Sequence, residues 1–196
     1  MIIYLDTETS GLNPGQICQL SYVLQDGSRI SAKNFFFDVD FVEYGAYMVH
    51  GFSVEKLRSL SRGLGFNNHV EEIEKDFNLS DVICAHNTSF DFKFLSKEFW
   101  RCGKDFLPKE QFCTMKNSIT ACKLSRQNSR GYKYPKLAEL CSFLGITDSQ
   151  INQATSKLFG TQVGYHDARF DTTALFLSAN KGAQTLKEFA VLQKYL

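Results

Sequence analysis

Two hydrophobic periods alternate along this chain. It opens on a short apolar run, Ile2-Ile3-Tyr4-Leu5, the mark of a buried strand. Residues 16–25 and 29–37 are rich in aliphatic and aromatic side chains, and Asp26-Gly27 between them is a strong hairpin signal. These three stretches predict a β-meander. A looser stretch follows, through Tyr44-Gly45 and Met48-Val49-His50-Gly51. Ser53 then fits the cap of a short helix, with Glu55 and Lys56 in its first turn. Between residues 67 and 78 the apolar residues Val70, Ile73 and Phe77 fall at i, i+3 and i+7, which predicts an amphipathic helix.

Val82-Ile83-Cys84-Ala85 reads as a compact buried strand, and Phe90-Asp91 opens the next helix. That helix carries Phe92, Leu95 and Phe99 on one stripe and Phe90 and Phe94 on another, so both sides are expected to be largely buried. Residues 111–115 suggest a short strand, and residues 125–134 are the most loop-like part of the chain. Pro135 suits the first turn of a helix that includes Leu137, Leu140, Cys141 and Leu144 and stops at Gly145. Further helices are expected over 149–158, 166–179 and 186–192. Strands first, then alternating helix and strand, then helices, is an α/β pattern with one mixed sheet.

Composition narrows the class. A chain of 196 residues suits one domain, 1–196, with a substantial core, and a hydrophobic share of 43% marks it as globular. No apolar run approaches the roughly 20 residues of a membrane span. No basic-then-apolar leader precedes the first strand, so nothing suggests secretion. Six cysteines without a Cys-x-x-Cys pair argue against zinc or a redox pair and suit reduced thiols in the cytoplasm. Residues 111–138 hold six basic side chains and no acid, a charge of +6 against +1 for the whole chain, which leaves −5 for the remainder. An acidic part beside a basic one suits a metal centre next to a polyanion track, though a solvated basic loop has the same composition.

The candidate chemistry starts where the first strand ends, in Asp6-Thr7-Glu8-Thr9-Ser10-Gly11-Leu12. Side chains two apart on a strand share a face, so Asp6 and Glu8 point the same way. Carboxylates forced together repel unless a cation sits between them, and hard divalent cations select such oxygen ligands. A strand ending in a solvated turn is the plainer alternative. Asp91 follows a buried strand in the first turn of a helix, where a negative side chain is favoured. Asp171 lies among Ala168, Ala174 and Leu175, where an unpartnered carboxylate is costly. His166 is five residues earlier, about 140° away on an ideal helix. The two can cooperate only if His166 lies in the turn before the helix, with Asp167 as the cap. A histidine so placed has the pKa for a general base.

Asp6-x-Glu8, His86-Asn87-x-x-Phe90-Asp91 and His166-x-x-x-x-Asp171, in this order, resemble the DEDDh 3′→5′ exonuclease family. That family includes the proofreading subunit of bacterial replicative polymerases, ribonuclease T and oligoribonuclease. The resemblance runs from residue 3 to about residue 180, and Val49-His50-Gly51-Phe52 and Lys136-Leu137-Ala138-Glu139-Leu140-Cys141 also match family segments. It implies a ribonuclease H-like fold, a mixed five-stranded sheet flanked by helices. It implies two divalent ions, Mg²⁺ or Mn²⁺, held by Asp6, Glu8, Asp91 and Asp171, with His166 as general base. The implied reaction releases 5′-mononucleotides from a 3′ end, of single-stranded DNA first and of RNA as the alternative. By the same resemblance Thr9, Leu12, His50, Asn87 and Phe90 shape the terminal-nucleotide pocket. Arg126, Arg130 and Lys133 are the expected polyanion track.

A nucleic-acid-binding or polymerase-associated module with little catalysis is the reading from another class, and a metal phosphatase is a third. Nucleic acid is the expected partner in each of the first two, in a replication or repair setting. Only 25 residues follow Asp171, so the expectation is that the proofreading subunit's long polymerase-binding tail is missing.

Overall fold

The structure, a computed structural model, describes residues 1–12, 15–126 and 130–196. Strands β1 (Ile2–Thr9), β2 (Ile17–Asp26) and β3 (Arg29–Phe36) form the expected antiparallel meander, turned at Gly27 with φ 58°. β4 (Val82–Ala85) pairs parallel with β1, and β5 (Glu110–Cys113) pairs parallel with β4. The result is one mixed five-stranded sheet in the order β3-β2-β1-β4-β5.

Helices cover both faces of the sheet. Ile2 and Tyr4 pack toward α7 (Leu137–Phe143), α8 (Asp148–Phe159) and α9 (Ala168–Thr185). Ile3 and Leu5 pack toward α3 (Val70–Leu79) and α4 (Thr88–Arg101). The alternation along β1 therefore assigns its polar end as well. Asp6 and Glu8 are in phase with Tyr4 and face α9, whereas Thr7 is in phase with Leu5 and faces α4.

Several elements differ from expectation. The looser stretch contains a helix, α1 (Tyr44–His50), which ends at Gly51 in the left-handed region. It has no buried residue, so no apolar stripe marks it. α2 (Val54–Ser61) follows as expected, with the Ser53 hydroxyl accepting from the Lys56 N–H. The strand expected over 111–115 ends at Cys113, because Thr114 starts two single turns, α5 (Thr114–Asn117) and α6 (Ile119–Cys122). Pro135 stands one residue before the cap of α7, whose Lys136 N–H is held by the Glu139 carboxylate. In α4, Phe94, Leu95 and Phe99 are buried, while Phe90 and Phe92 are half-exposed. α9 runs on to Thr185 through small residues. One of them, Gly182, lies so close to the Phe189 ring that a Cβ there would clash. The last segment, Lys187–Tyr195, is a 3₁₀ helix. Residues 127–129 of the loop-like stretch lie outside the described residues. Among the described residues no helix is long and apolar enough to cross a membrane, and all six cysteines are free thiols.

His86 ties three segments together at the C-terminal edge of the sheet. Its Nε2 lies 3.0 Å from the Pro135 carbonyl, which can only accept, so Nε2 carries the proton. Nδ1 then accepts from the Thr114 hydroxyl at 2.9 Å. Burial pushes the ring down from 6.5 to about 4. A histidine held neutral in the fold contributes stability above its unfolded pKa, lost as pH falls toward the folded value. A shift of this size corresponds to about 3 kcal/mol. In urea unfolding, the advantage of the wild type over His86→Gln should shrink by roughly that amount between pH 7 and pH 4. An advantage independent of pH would show that His86 is not held neutral.

Candidate active site

The end of β1 delivers Asp6 and Glu8 to the same face, and the first turn of α9 delivers Asp171 opposite them. One carboxylate oxygen from each of the three lies within 4.8 Å of the others. Local hydrogen bonds fix the turn that makes this possible. Asp167 is the N-cap of α9, accepting the Arg169 N–H at 3.1 Å, and the Arg169 guanidinium grips the same carboxylate at 2.8 and 2.7 Å. Gln19, fully buried on β2 and directly across from Glu8, donates to Asp167 at 2.9 Å and accepts the Ala168 N–H at 3.1 Å. His166 therefore lies just before the helix, as its spacing from Asp171 required. Its φ of 62° is unusual for a residue with a side chain. Its N–H donates to Asp171 Oδ2 at 3.0 Å, leaving the exposed imidazole to face solvent beside the carboxylates.

Asp91 arrives from the other side of β1. Asn87, the N-cap of α4, adopts φ 89° to turn the chain sharply out of β4, and its carbonyl accepts the Phe90 N–H. This seats Asp91 in the first helical turn, buried, with the Thr7 hydroxyl donating to Oδ1 at 2.9 Å. Asp91 stands beside the group of three and adds its charge to theirs, pushing up both Asp6 and Glu8.

Burial, then mutual repulsion, shapes the electrostatics. Asp6 is raised well above the carboxylate range, by burial first and then by Asp171, Asp91 and Glu8. Glu8 is pushed up to about 9 by burial and then by Asp171. Burial raises Asp91 to about 7 against the pull of the Thr7 hydrogen bond, and raises Asp171 to about 6 against the His166 N–H. Arg169, two residues from Asp171, is spent on Asp167. Uncompensated, hard oxygen donors at this spacing fit a divalent cation such as Mg²⁺ or Mn²⁺.

A cleft of about 320 Å³ opens beside the carboxylates. Thr9, Leu12, His50 and Phe90 line it; Leu12 is 71% exposed and so is not a core residue. Asn87 does not line it and acts as the helix cap. His50 has both ring nitrogens engaged. Nδ1 accepts the Phe52 N–H at 3.0 Å, so Nε2 carries the proton to the Thr9 carbonyl at 3.2 Å. Burial lowers its pKa, and the neutral ring locks α1 to the end of β1. The motifs did not signal Glu43, whose carboxylate lines the cleft and packs where a Cβ on Gly11 would sit. Gln19 and His86 were also unassigned. Thr7 had a readable signal, since it alternates with two carboxylates.

The basic residues do not join this cluster. Arg126 and Arg130 are exposed on a separate segment. The Lys133 ammonium pairs with Glu139 at 2.5 Å.

A family model described as Exonuclease (RNase_T) matches residues 3–150. The match takes in Asp6, Glu8 and Asp91 and ends before His166 and Asp171. The chain is 28% identical over 153 residues to the DNA polymerase III subunit epsilon of Rickettsia prowazekii (strain Madrid E), covering 75% of this chain and 63% of that protein. It is 30% identical over 158 residues to the subunit of the same name from Salmonella typhimurium, covering 76% and 62%. The chain thus spans less than two thirds of the length of these relatives. E. coli Exonuclease I in complex with a 5cy-dT13 oligonucleotide shares the fold with a TM-score of 0.73 at 18% identity, over 98% of this chain and 43% of that one. So does the nuclease domain of 3′hExo, a DEDDh family member bound to rAMP, with a TM-score of 0.63 at 11% identity over 95% and 93%.

Repulsion within the cluster makes a stability prediction. In EDTA, Asp6→Asn should raise the melting temperature, by about 2–4 °C for each kcal/mol of repulsion relieved. A lower melting temperature would show that the charges are already compensated within the fold.

Proposed function

The chain belongs to the RNase_T exonuclease family, the DEDDh type, and on that premise we propose that it is a metal-dependent 3′→5′ exonuclease acting on single-stranded DNA. The observation that carries this reading is the convergence of Asp6, Glu8 and Asp171 within 4.8 Å, with His166 in the turn before Asp171 and an apolar cleft alongside. Asp6, Glu8, Asp91 and Asp171 would hold two divalent cations. Such ions would lower the pKa of water and offset charge on the phosphate and the leaving oxygen.

The chain's own groups do the rest. The exposed His166 imidazole takes a proton from the attacking water. The water oxygen bonds to phosphorus as the phosphorus–oxygen bond to the 3′ oxygen of the preceding nucleotide breaks; that oxygen takes a proton from solvent, and a 5′-mononucleotide leaves. Leu12 and Phe90 present apolar surface to the terminal nucleoside, and the neutral His50 ring keeps that wall in register with β1. DNA is favoured over RNA because Asp6-Thr7-Glu8 carries a small residue between the carboxylates, a wording closer to the proofreading subunit than to oligoribonuclease. The relatives are named as subunits of a DNA polymerase, which supports a setting in replication or repair.

A 5′-labelled single-stranded DNA oligomer incubated with Mg²⁺ or Mn²⁺ should give a ladder shrinking from the 3′ end, faster than the matched RNA. His166→Ala should slow it by about 10²–10⁴-fold. Faster loss of the RNA would reverse the substrate assignment. No ladder on either substrate, or a His166→Ala variant as fast as the wild type, would contradict the mechanism.

A further inference from the structure

The basic segment holds a second feature that the carboxylates and the cleft do not use. Two short arms, residues 124–126 and 131–134, pair with each other. Ser125 bridges Tyr132, the Lys133 N–H donates to the Leu124 carbonyl at 2.8 Å, and the Arg126 N–H donates to the Gly131 carbonyl at 3.3 Å. Tyr132 and Tyr134 flank Lys133 along the second arm. Lys133 meets Glu139. The two tyrosines are left 42% and 50% exposed.

We propose that Tyr132 and Tyr134 form a stacking platform for the bases upstream of the 3′ end, a second binding site for single-stranded nucleic acid. The proposal rests on the exonuclease reading of the neighbouring site. Three observations support it. The platform is braced from beneath: Glu139 holds Lys133 and the cap of α7 together, and Pro135, next to Tyr134, is pinned by His86. Bracing lowers the ordering cost of binding.

Its position also suits the path of a strand. His86 lies in the turn that leads to Asp91, at the β4–β5 side of the sheet, whereas the cleft opens at the end of β1 beside α1. A strand with its 3′ nucleotide in the cleft crosses the carboxylates toward the arms. Charge supplies the third support. Residues 111–138 carry six basic side chains and no acid, with Arg126 and Arg130 exposed. Aromatic faces among cations bind single strands without reading sequence, because every base has a face to stack. An acidic or apolar protein surface would use the cations or the rings, and a single strand uses both.

The test is fluorescence anisotropy with labelled oligo-dT in EDTA, where no metal-dependent cleavage proceeds. Oligomers of about two and about eight nucleotides are compared. The wild type should bind the longer oligomer more tightly. Tyr132→Ala/Tyr134→Ala should lose that gain, about tenfold in affinity or more. Tyr132→Phe/Tyr134→Phe, which keeps both rings, should retain it. Equal binding of the longer oligomer by wild type and alanine pair would overturn the platform, and so would equal weakening by alanine and phenylalanine pairs. Failure of the exonuclease reading looks different: no ladder with metal, while the length gain and its dependence on the two rings persist.

Discussion

Repulsion among buried carboxylates at the end of β1 is the constraint on which the rest of the structure bears. Asp6, Glu8 and Asp171 are drawn together with Asp91 beside them; burial raises all four, and the charge of the others raises Asp6 and Glu8 further. A fold tolerates such a centre only if the surrounding packing over-determines it. Here the sheet supplies that packing. β1 is the central strand, paired on both sides and covered by apolar clusters on both faces. That strand carries two of the carboxylates, and α9, packed against it, carries the third.

The fold orients these groups with neutral donors. Thr7 holds Asp91 by a hydroxyl, the His166 N–H holds Asp171, and the Gln19 amide holds the Asp167 cap. Arg169, two residues from Asp171, grips Asp167 and so shapes the turn. Such an arrangement fixes direction while leaving the negative charge for an external cation. The same economy appears in the histidines. His50 and His86 are held neutral with both nitrogens engaged and serve as braces, and His166 faces solvent with its ring.

Much of this was legible in the chain because it depends on short-range periodicity. Period two along Ile2 to Glu8 predicts that Asp6 and Glu8 share a face, and the five-residue spacing predicts His166 in the turn before α9. The meander and its Asp26-Gly27 turn are equally local. What was not legible depends on contacts distant in sequence or on the absence of an apolar stripe. Helix α1 buries nothing, so its residues carry no helical signature. Lys133 reads as one cation of a basic run, and only the fold sets Glu139 against it. Gln19 is an unremarkable strand glutamine until α9 brings Asp167, 148 residues away, within hydrogen-bond reach. Asn87 reads as a pocket residue, whereas its left-handed backbone makes it the turn that aims Asp91.

The central claim is that the four carboxylates form a divalent-metal centre. Electron paramagnetic resonance of Mn²⁺ titrated into the protein tests it without requiring turnover. The account predicts bound Mn²⁺ in the wild type, competed by Mg²⁺, and its loss in both Asp6→Asn and Asp171→Asn while each variant stays folded. A wild type that leaves all Mn²⁺ in solution, or binding that survives in both variants, would contradict it.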